Sequence, residues 1–448
     1  MTATAIASST TQSMYQQRRQ DLMQRLGQGT AILRSAAPAI ANNIEYPFRQ
    51  EGDFYYLTGF NEPEAVAILA PNHDEHQFVL FVQPKDPDKE IWTGYRTGVE
   101  AAKERYGADE AYPITELEEK LPQYLACSDR IFHRPSPEDE FNHTVYRHWQ
   151  AQLRQNLRRG HGPTALEDLS LLLHDRRCIK SEAELDLMRR AATIAAEAHN
   201  LARAAARPGT YEYEIEALLD RHFRAHGGLG PAYPSIVASG PNACILHYTT
   251  NQRRMQIGDL LLIDAGCCYE HYNSDITRTF PINGKFTSYQ KEIYALVLAA
   301  QTAAIAEVKP GNTFNQPHDT AVRIIASGLI DLGLLKPKDD KDFDQLVKDE
   351  DYKPFYMHRT SHWLGLDVHD VGPYKVNADD WQTFQPGMVL TIEPGIYISP
   401  APEAKGLENV SEPWRGIGIR IEDDVLVTAT GYEVLTSEVP KAIADIER

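Results

Sequence analysis

The second half of the chain contains one sequence pattern twice, and this internal repeat restricts the fold more than any other feature. Each copy begins with a capping box, Ser-Glu-Ala-Glu at 181–184 and Thr-Ser-Tyr-Gln at 287–290, in which two side chains satisfy free backbone N–H groups at a helix start. Each predicted helix ends at a basic residue followed by Pro-Gly, at 207–209 and 309–311. Strand-like segments follow, so the repeat predicts two related α/β halves. A second helix in each half is predicted at about 211–226 and 314–332.

In each half, two apolar strand segments carry a carboxylate. Asp264 and Glu393 follow aliphatic runs, whereas Asp275 and Glu422 adjoin β-branched segments. A carboxylate in a buried strand costs several kcal/mol unless it is paired or bound to a metal. Taken alone, Asp264 is best explained as an acid at a strand end that caps a turn, and Asp275 taken alone is similarly ambiguous. Glu393 is harder to explain in this way. Two halves that face each other would bring all four carboxylates to one centre.

Four carboxylates at one centre predict bound cations. Like charges a few ångströms apart raise each other's pKa, and two divalent ions would balance them. Coordination lowers the pKa of bound water toward about 7, so a hydroxide that bridges two metal ions is the expected nucleophile. Oxygen-rich ligation with one imidazole favours Mn²⁺, with Co²⁺, Fe²⁺ and Zn²⁺ as alternatives.

Histidines supply the remaining candidates. His358, His362 and His369 lie within twelve residues, among apolar residues and glycines, which favours a site over scattered surface histidines. His247 is a weaker candidate because it stands alone. Arg420 shares a strand face with Glu422, because alternate residues of a strand point the same way. Arg420 either hydrogen-bonds the ligand Glu422 and orients it without binding the metal itself, or forms an ion pair at the protein surface.

The first half is typical of a smaller mixed α/β domain. A polar helix is predicted at about 15–25, and a Gly/Pro break at 160–163 places the end of the domain near Asp175. Four short strands are predicted at 31–33, 54–57, 65–69 and 78–82.

These boundaries predict three segments. We expect residues 1–13 to be a disordered tail, 14–175 an accessory domain and 176–448 the larger, duplicated domain. Within the duplicated domain, the Lys- and Asp-rich stretch 334–354 has no counterpart in the other half, so we expect a solvated insertion.

The net charge limits which binding partners are plausible, and the cysteine content indicates the cellular compartment. The chain has 45 Lys and Arg against 63 Asp and Glu, a net charge of −18, which would repel nucleic acid and anionic membranes. No apolar run approaches the ~20 residues of a membrane span, and no secretory signal is recognisable. The five cysteines are sparse, odd in number and without CxxC spacing, so we expect a cytoplasmic protein.

Five short motifs surround the candidate ligands. They are Leu-Ile-Asp-Ala-Gly at 262–266, Ser-Asp-Ile-Thr-Arg at 274–278, Ser-His-Trp-Leu-Gly at 361–365, Thr-Ile-Glu-Pro-Gly at 391–395 and Gly-Ile-Arg-Ile-Glu-Asp at 418–423. As a set they resemble the pita-bread metallo-aminopeptidases, and among these the bacterial type of Xaa-Pro aminopeptidase (aminopeptidase P). The ligand order of that family is Asp, Asp, His, Glu, Glu, and no position is substituted here.

The resemblance implies a metal-dependent aminopeptidase that releases the N-terminal residue from peptides with proline in second position. A prolidase restricted to Xaa-Pro dipeptides is the alternative. The resemblance further implies that Asp264 chelates one metal ion, that Asp275 and Glu422 bridge both, and that His362 and Glu393 hold the other. Glu393 would also pass a proton from the attacking water to the leaving proline nitrogen.

The same resemblance implies the substrate contacts. His369 and His247 would hydrogen-bond the substrate carbonyl or the tetrahedral intermediate, and His358 and Tyr374 would line the proline side. The full set of expected substrate-binding residues is His358, His369, Tyr374, Arg420 and Trp92.

The first half also resembles the accessory domain of aminopeptidase P and prolidase, which methionine aminopeptidases lack. The matching segments are 45–50, 54–59, 61–65 and 91–94. The family implies that Trp92 reaches a neighbouring subunit's active site in a homo-oligomer, a tetramer or a dimer. Non-enzymatic peptide-binding relatives and metal-free creatinase-like hydrolases are marked by lost ligands, so the intact set argues against both.

Overall fold

The computed structural model describes residues 9–136, 139–337 and 341–447, and it divides into the units Met1–Asp175 and Arg176–Arg448. The helix α7 contains this division. The elements up to it are α1 (Ser9–Leu26), β1 (Thr30–Arg34), β2 (Ile40–Ala41), β3 (Ile44–Glu45), α2 (Gly52–Thr58), β4 (Val66–Leu69), β5 (Phe78–Val82), α3 (Pro87–Thr93), α4 (Gly98–Tyr106), β6 (Glu110–Pro113), α5 (Leu117–Ala126), β7 (Arg130–His133), α6 (Phe141–Arg159), β8 (Ala165–Glu167) and α7 (Ser170–Cys178).

A six-stranded mixed sheet organises the first unit, in the order β6-β5-β4-β1-β7-β8. The strands β4 and β5 are buried at every position, as expected for continuous apolar runs covered on both faces. Three of the four predicted strands are present here, at β1, β4 and β5.

The fourth predicted strand, 54–57, is wrong, because these residues form the helix α2. The Glu51 carboxylate accepts a hydrogen bond from the Phe54 N–H at 2.7 Å and caps the helix start, and Gly59 ends the helix in the left-handed region with φ of 65°. The run of Phe54, Tyr55, Tyr56 and Leu57 is buried, so tertiary packing overrides the β propensity of its aromatic residues.

The predicted tail is also too long. The helix α1 begins at Ser9 rather than near residue 15, and the Gln12 side-chain amide donates to the Arg105 carbonyl. Residues 1–8 lie outside the described residues. The contact with Arg105 joins the start of α1 to α4, and the helix propensity of the residues alone does not predict such a contact.

The second unit contains the duplicated elements. They are α8 (Glu182–Ala205), α9 (Glu212–Ala225), β9 (Gly230–Pro231), β10 (Ile236–Ser239), β11 (Leu260–Asp264), β12 (Cys267–Tyr269), β13 (Tyr272–Asn273), β14 (Thr277–Pro281), α10 (Ser288–Ala306), α11 (Gln316–Asp331), α12 (Phe343–Lys348), β15 (Val389–Ile392), β16 (Gly395–Tyr397), β17 (Gly418–Arg420), β18 (Asp423–Val427), β19 (Tyr432–Val434) and α13 (Ile443–Ile446).

The predicted repeat is present in the structure. The helix pairs α8/α9 and α10/α11 correspond, and both capping boxes form, with the Ser181 N–H bonded to Glu184 at 2.9 Å and the Thr287 N–H bonded to Gln290 at 3.0 Å. The antiparallel pairs β11/β14 and β15/β18 also correspond. In each pair one strand ends at a carboxylate or one residue before it, and the other begins one or two residues after a carboxylate. Antiparallel pairing therefore places the two acids at the same sheet end.

The two halves meet through an isolated bridge between Thr277 and Glu422, in which the Glu422 N–H donates to the Thr277 carbonyl at 3.0 Å. Glu422 lies between two strands that pair differently, because β17 pairs with β16 and β18 pairs with β15. The chain therefore changes sheets at Glu422, and the four carboxylates converge where the halves join.

The stretch 334–354 is not simply a solvated insertion. It contains α12, and Leu346 and Tyr352 are buried in the core of the second unit. Residues 338–340 lie outside the described residues. A few apolar residues among the charged ones anchor the segment to the core. A count of charged residues does not predict this burial.

Candidate metal centre

One cavity of about 1150 Å³ in the second unit brings together nearly every predicted site residue. Its walls include four carboxylates, four histidines, an arginine and a tyrosine from both halves of the repeat. They are Asp264, Asp275, Glu393, Glu422, His247, His358, His362, His369, Arg420 and Tyr374. Trp92 lies instead on α3 of the first unit, where it is 87% exposed.

Tyr233 joins the two acids of the first half. Its hydroxyl donates to Asp264 Oδ1 at 2.5 Å and also bonds to Asp275 Oδ1. The other Asp264 oxygen accepts from Arg420 at 2.6 Å. Both acids are buried, so each charge has partners but little water.

Arg420 is buried, at 4% exposure, which rules out the alternative of a surface ion pair. Its Nε donates to Thr277 Oγ1 at 3.1 Å, and that hydroxyl donates to Glu422 Oε2 at 2.6 Å. A further N–H of Arg420 reaches the Tyr397 hydroxyl at 2.9 Å. The guanidinium therefore contacts Asp264 directly and Glu422 through Thr277, and it orients acids from both halves.

His362 faces acids of both halves with one ring nitrogen. Its Nδ1 lies 3.0 Å from the Trp363 carbonyl, which can only accept, so Nδ1 carries the hydrogen and Nε2 points into the cluster. That Nε2 lies 3.5 Å from Asp275 Oδ2 and 3.7 Å from Glu393 Oε1. Donor atoms of Asp275, His362 and Glu422 all lie within 4.8 Å of one another, a spacing that fits a metal ion.

The crowding of these acids changes their pKa values. Burial, followed by the charge of Asp275, raises the pKa of Glu422 well above its usual range, and burial raises the pKa of Asp264 despite Arg420. Burial also raises the pKa of Glu393 to about 7. Burial lowers the pKa of His362, but the bond to Asp275 and the charge of Glu393 outweigh it and raise the pKa to about 9. The cluster therefore needs positive charge, which protons or divalent cations can provide.

Asp424 is a further buried acid that contacts the backbone of the candidate ligand Asp275. Its carboxylate accepts the Asp275 N–H at 3.1 Å, and burial and the charge of Asp275 raise its pKa. The sequence shows an acidic pair after Glu422 but assigns it no role. Tyr233, Thr277 and Tyr397 carry no local signal at all, because their partners lie far away along the chain.

Part of the cavity wall is aromatic. The Tyr374 ring stacks on the Trp363 ring at 6.0 Å and tilts against Phe314 at 4.7 Å, and Trp381 also lines the cavity. His358 Nε2 lies 2.9 Å from the Tyr397 hydroxyl. Burial and the charge of Arg420 lower the pKa of His358 to about 3.

His369 lies beside the cluster rather than in it. Its ring meets that of His362 edge to face, with centroids 4.3 Å apart. Burial and the charge of His362 lower its pKa, which favours the neutral imidazole. His247 lines the same cavity.

Residues 186–429 match metallopeptidase family M24, and residues 15–132 match the aminopeptidase P N-terminal domain. The chain belongs to metallopeptidase family M24. It is therefore a hydrolase of a family that uses divalent metal ions, and the resemblance to the aminopeptidase P group is confirmed.

Relatives in this family cover almost the whole chain. The Xaa-Pro aminopeptidase of Escherichia coli (strain K12) is 44% identical over 97% of this chain and 96% of its own length. That of Haemophilus influenzae is 45% identical over 91% and 89%. Human Xaa-Pro aminopeptidase 3 is 33% identical over 94% and 80%.

Solved M24 structures share the fold. Pseudomonas aeruginosa aminopeptidase PepP matches with a TM-score of 0.91 and 47% identity over 97% of both chains. Proline aminopeptidase P II from Yersinia pestis matches with a TM-score of 0.90 and 44% identity over 97% and 98%. The predicted fold class, a smaller mixed α/β domain followed by a duplicated pita-bread domain, is confirmed. In the part of the chain that the structure describes, no helix is both long and apolar enough to cross a membrane.

Proposed function

We propose that this M24 enzyme releases the N-terminal residue from peptides whose second residue is proline. The observation that carries the proposal is the convergence of Asp264, Asp275, His362, Glu393 and Glu422 on one cavity. Its support comes from relatives that are 44–45% identical over at least 91% of the chain and are named Xaa-Pro aminopeptidases.

In this proposal, the five side chains hold two divalent metal ions. Asp264 would bind one ion, His362 and Glu393 would bind the other, and Asp275 and Glu422 would be shared between them. The four carboxylates and one imidazole favour Mn²⁺, with Co²⁺, Fe²⁺ and Zn²⁺ as alternatives. When bound, the two ions would polarise the scissile carbonyl and lower the pKa of a water molecule between them.

Glu393 then carries the proton. One of its oxygens accepts a proton from the attacking water and delivers it to the proline nitrogen as the peptide bond breaks. Its place supports this role, because Oε1 lies 3.7 Å from His362 and Oε2 lies 3.7 Å from His358 Nδ1. The carboxylate thus lies between the ligand side and the substrate side of the cavity.

Two histidines stabilise the negative charge that develops on the substrate oxygen. His369 and His247 donate hydrogen bonds from their ring N–H groups to the carbonyl and to the tetrahedral intermediate. Both residues line the same cavity as the ligands.

The aromatic side of the cavity accepts the proline ring. His358 and Tyr374 line this side, where Phe314 and Trp381 add apolar surface, and Arg420 positions His358 through the hydroxyl of Tyr397. A compact, apolar pyrrolidine ring without an N–H suits such a surface better than a flexible polar side chain.

Three further features belong to the proposal. We assign residues 14–175 to an accessory domain and 176–448 to the catalytic domain, and we place Trp92 at a neighbouring subunit's active site in a tetramer or a dimer. Its 87% exposure leaves the indole available for such a contact. We place the protein in the cytoplasm because its five cysteines are sparse, odd in number and without CxxC spacing, which is typical of a reducing compartment.

A comparison of Xaa-Pro with Xaa-Pro-Yaa peptides tests the substrate class. Purified enzyme loaded with Mn²⁺ should cleave both tripeptides and longer peptides at the bond before proline, and Xaa-Ala-Yaa controls should remain intact. Cleavage of dipeptides alone would establish the prolidase alternative. The variant Glu393→Gln should lower kcat on the order of 10²- to 10⁴-fold, and unchanged turnover would contradict the role of Glu393.

A further inference from the structure

A second group of metal-binding side chains lies on the helices α8 and α9, away from the residues that line the catalytic cavity. Glu197 projects from α8, His222 from α9, and His226 follows the last turn of α9. One donor atom from each residue lies within 4.8 Å of the other two. Histidines four residues apart lie on the same side of a helix, so both rings reach the facing carboxylate.

The hydrogen bonds of the two histidines define which nitrogens are available. His226 Nδ1 lies 2.8 Å from the His222 carbonyl, which can only accept, so Nδ1 carries the hydrogen and Nε2 has the lone pair. A backbone carbonyl commonly fixes a metal-binding histidine in this way. His222 Nε2 lies 3.0 Å from Glu197 Oε2, so this nitrogen and this oxygen already face each other.

The surrounding structure holds the backbone of the cluster while leaving it accessible. The helices α8 and α9 contribute to one core, through residues such as Ile194 and Phe223. His226 is exposed, the Glu197 side chain is 43% exposed and the His222 side chain is 12% exposed. A cation can therefore reach the donors from solvent without any rearrangement of the core.

Nearby cationic side chains have other partners. The Arg224 guanidinium donates to Asp220 at 2.9 Å and to the Leu229 carbonyl at 3.0 Å. Its positive charge is therefore partly compensated by Asp220, and the carboxylate of Glu197 remains the anionic group of the cluster.

We propose that Glu197, His222 and His226 bind one divalent transition-metal ion of the zinc class and link α8 to α9. Two imidazole nitrogens and one carboxylate oxygen form the donor set that Zn²⁺ prefers, and water completes a tetrahedron. Bond lengths of about 2.0–2.1 Å require donors about 3.3 Å apart. The rings stack with centroids 3.9 Å apart and the three donor atoms already lie within 4.8 Å of one another, so small side-chain shifts are enough to close the donors around one ion.

Zinc stoichiometry tests this site on the full-length enzyme with its catalytic centre loaded with Mn²⁺. After equilibrium dialysis against micromolar ZnCl₂, the wild type should retain one more zinc per chain than His226→Asn, His222→Asn or Glu197→Gln. Zinc that replaces Mn²⁺ in the catalytic centre is common to all these proteins and cancels in the difference. The matched controls His161→Asn and Glu292→Gln alter exposed residues elsewhere and should retain as much zinc as the wild type.

Two further measurements fix the position and separate this site from catalysis. Crystals soaked in ZnCl₂ should show an anomalous peak among the three side chains at the zinc edge, and the peak should disappear in His226→Asn. The peptidase activity of that variant in Mn²⁺ should equal that of the wild type. Equal zinc content in the wild type and the three variants, or anomalous peaks at the catalytic centre only, would overturn the proposal.

Discussion

A buried ion network next to His369 gives the sharpest prediction of stability. Asp370 is 1% exposed and its carboxylate accepts from Arg177 at 2.7 Å and from Lys180 at 3.1 Å, both of which are also 1% exposed. Asp367, on the other side of His369, accepts from the same guanidinium at 2.8 Å but is 44% exposed. The loop that carries His369 is therefore fixed at both ends by the segment 177–180.

The two acids should differ greatly in their contribution. The change Asp370→Asn removes a buried charge that two buried cations share, and the loss of one partner from such a group costs about 3–5 kcal/mol. The matched change Asp367→Asn removes an acid that solvent screens, so it should cost at most about 1 kcal/mol. Since domains are stable by roughly 5–15 kcal/mol, the first change should remove a large part of the free energy of unfolding.

Urea unfolding followed by tryptophan fluorescence measures this difference. Trp363 is a suitable reporter because its carbonyl accepts the Asp370 N–H at 2.9 Å and its ring is buried. The midpoint should shift clearly for Asp370→Asn and little for Asp367→Asn. Equal small shifts would refute the argument that burial of the shared carboxylate, rather than the number of ion pairs, determines the cost.

Three further predictions concern the metal, the substrate contact and pH. Removal of metal with a chelator should abolish peptidase activity and added Mn²⁺ should restore it, whereas full activity of metal-free enzyme would exclude the proposed chemistry. His369→Ala should lower kcat on the order of 10²-fold or more with unchanged bound metal, and a change of only about twofold would leave His369 a structural role. Burial, with a contribution from Arg359, lowers the pKa of His318 to about 3. The unfolded chain alone therefore takes up this proton as the pH falls below about 6.5, and stability should fall by about 1.4 kcal/mol per pH unit between about pH 6 and pH 4. His318→Gln should remove this part of the slope in urea titrations, and equal slopes would contradict the assignment.

Much of the duplicated domain can be predicted from the sequence because its signals are local. A capping box requires residues only three positions apart, and both predicted boxes form. The apolar runs that end at Asp264 and Glu393 predict strands with an acid at one end. The motifs around these acids are short enough to be recognised without any knowledge of the contacts between them.

Other features depend on partners that are distant in the chain. The segment 54–57 has the aromatic composition of a strand, but the Glu51 cap and the packing of the first unit make it a helix. The stretch 334–354 has a solvated composition, yet Leu346 is fully buried. Local composition cannot show which of these residues meet a core.

The sequence by itself determined the repeat, the five candidate metal ligands and the chemistry that those ligands favour. Only the tertiary structure brought Tyr233 to Asp264 and Asp275, placed Arg420 between acids of both halves, and set Glu197 against His222 and His226. Each of these arrangements joins residues 25 or more positions apart. The physical reason is that the residue type alone fixes which atoms a side chain offers for bonding. Its burial, its partners and its pKa depend on the neighbours that folding brings to it.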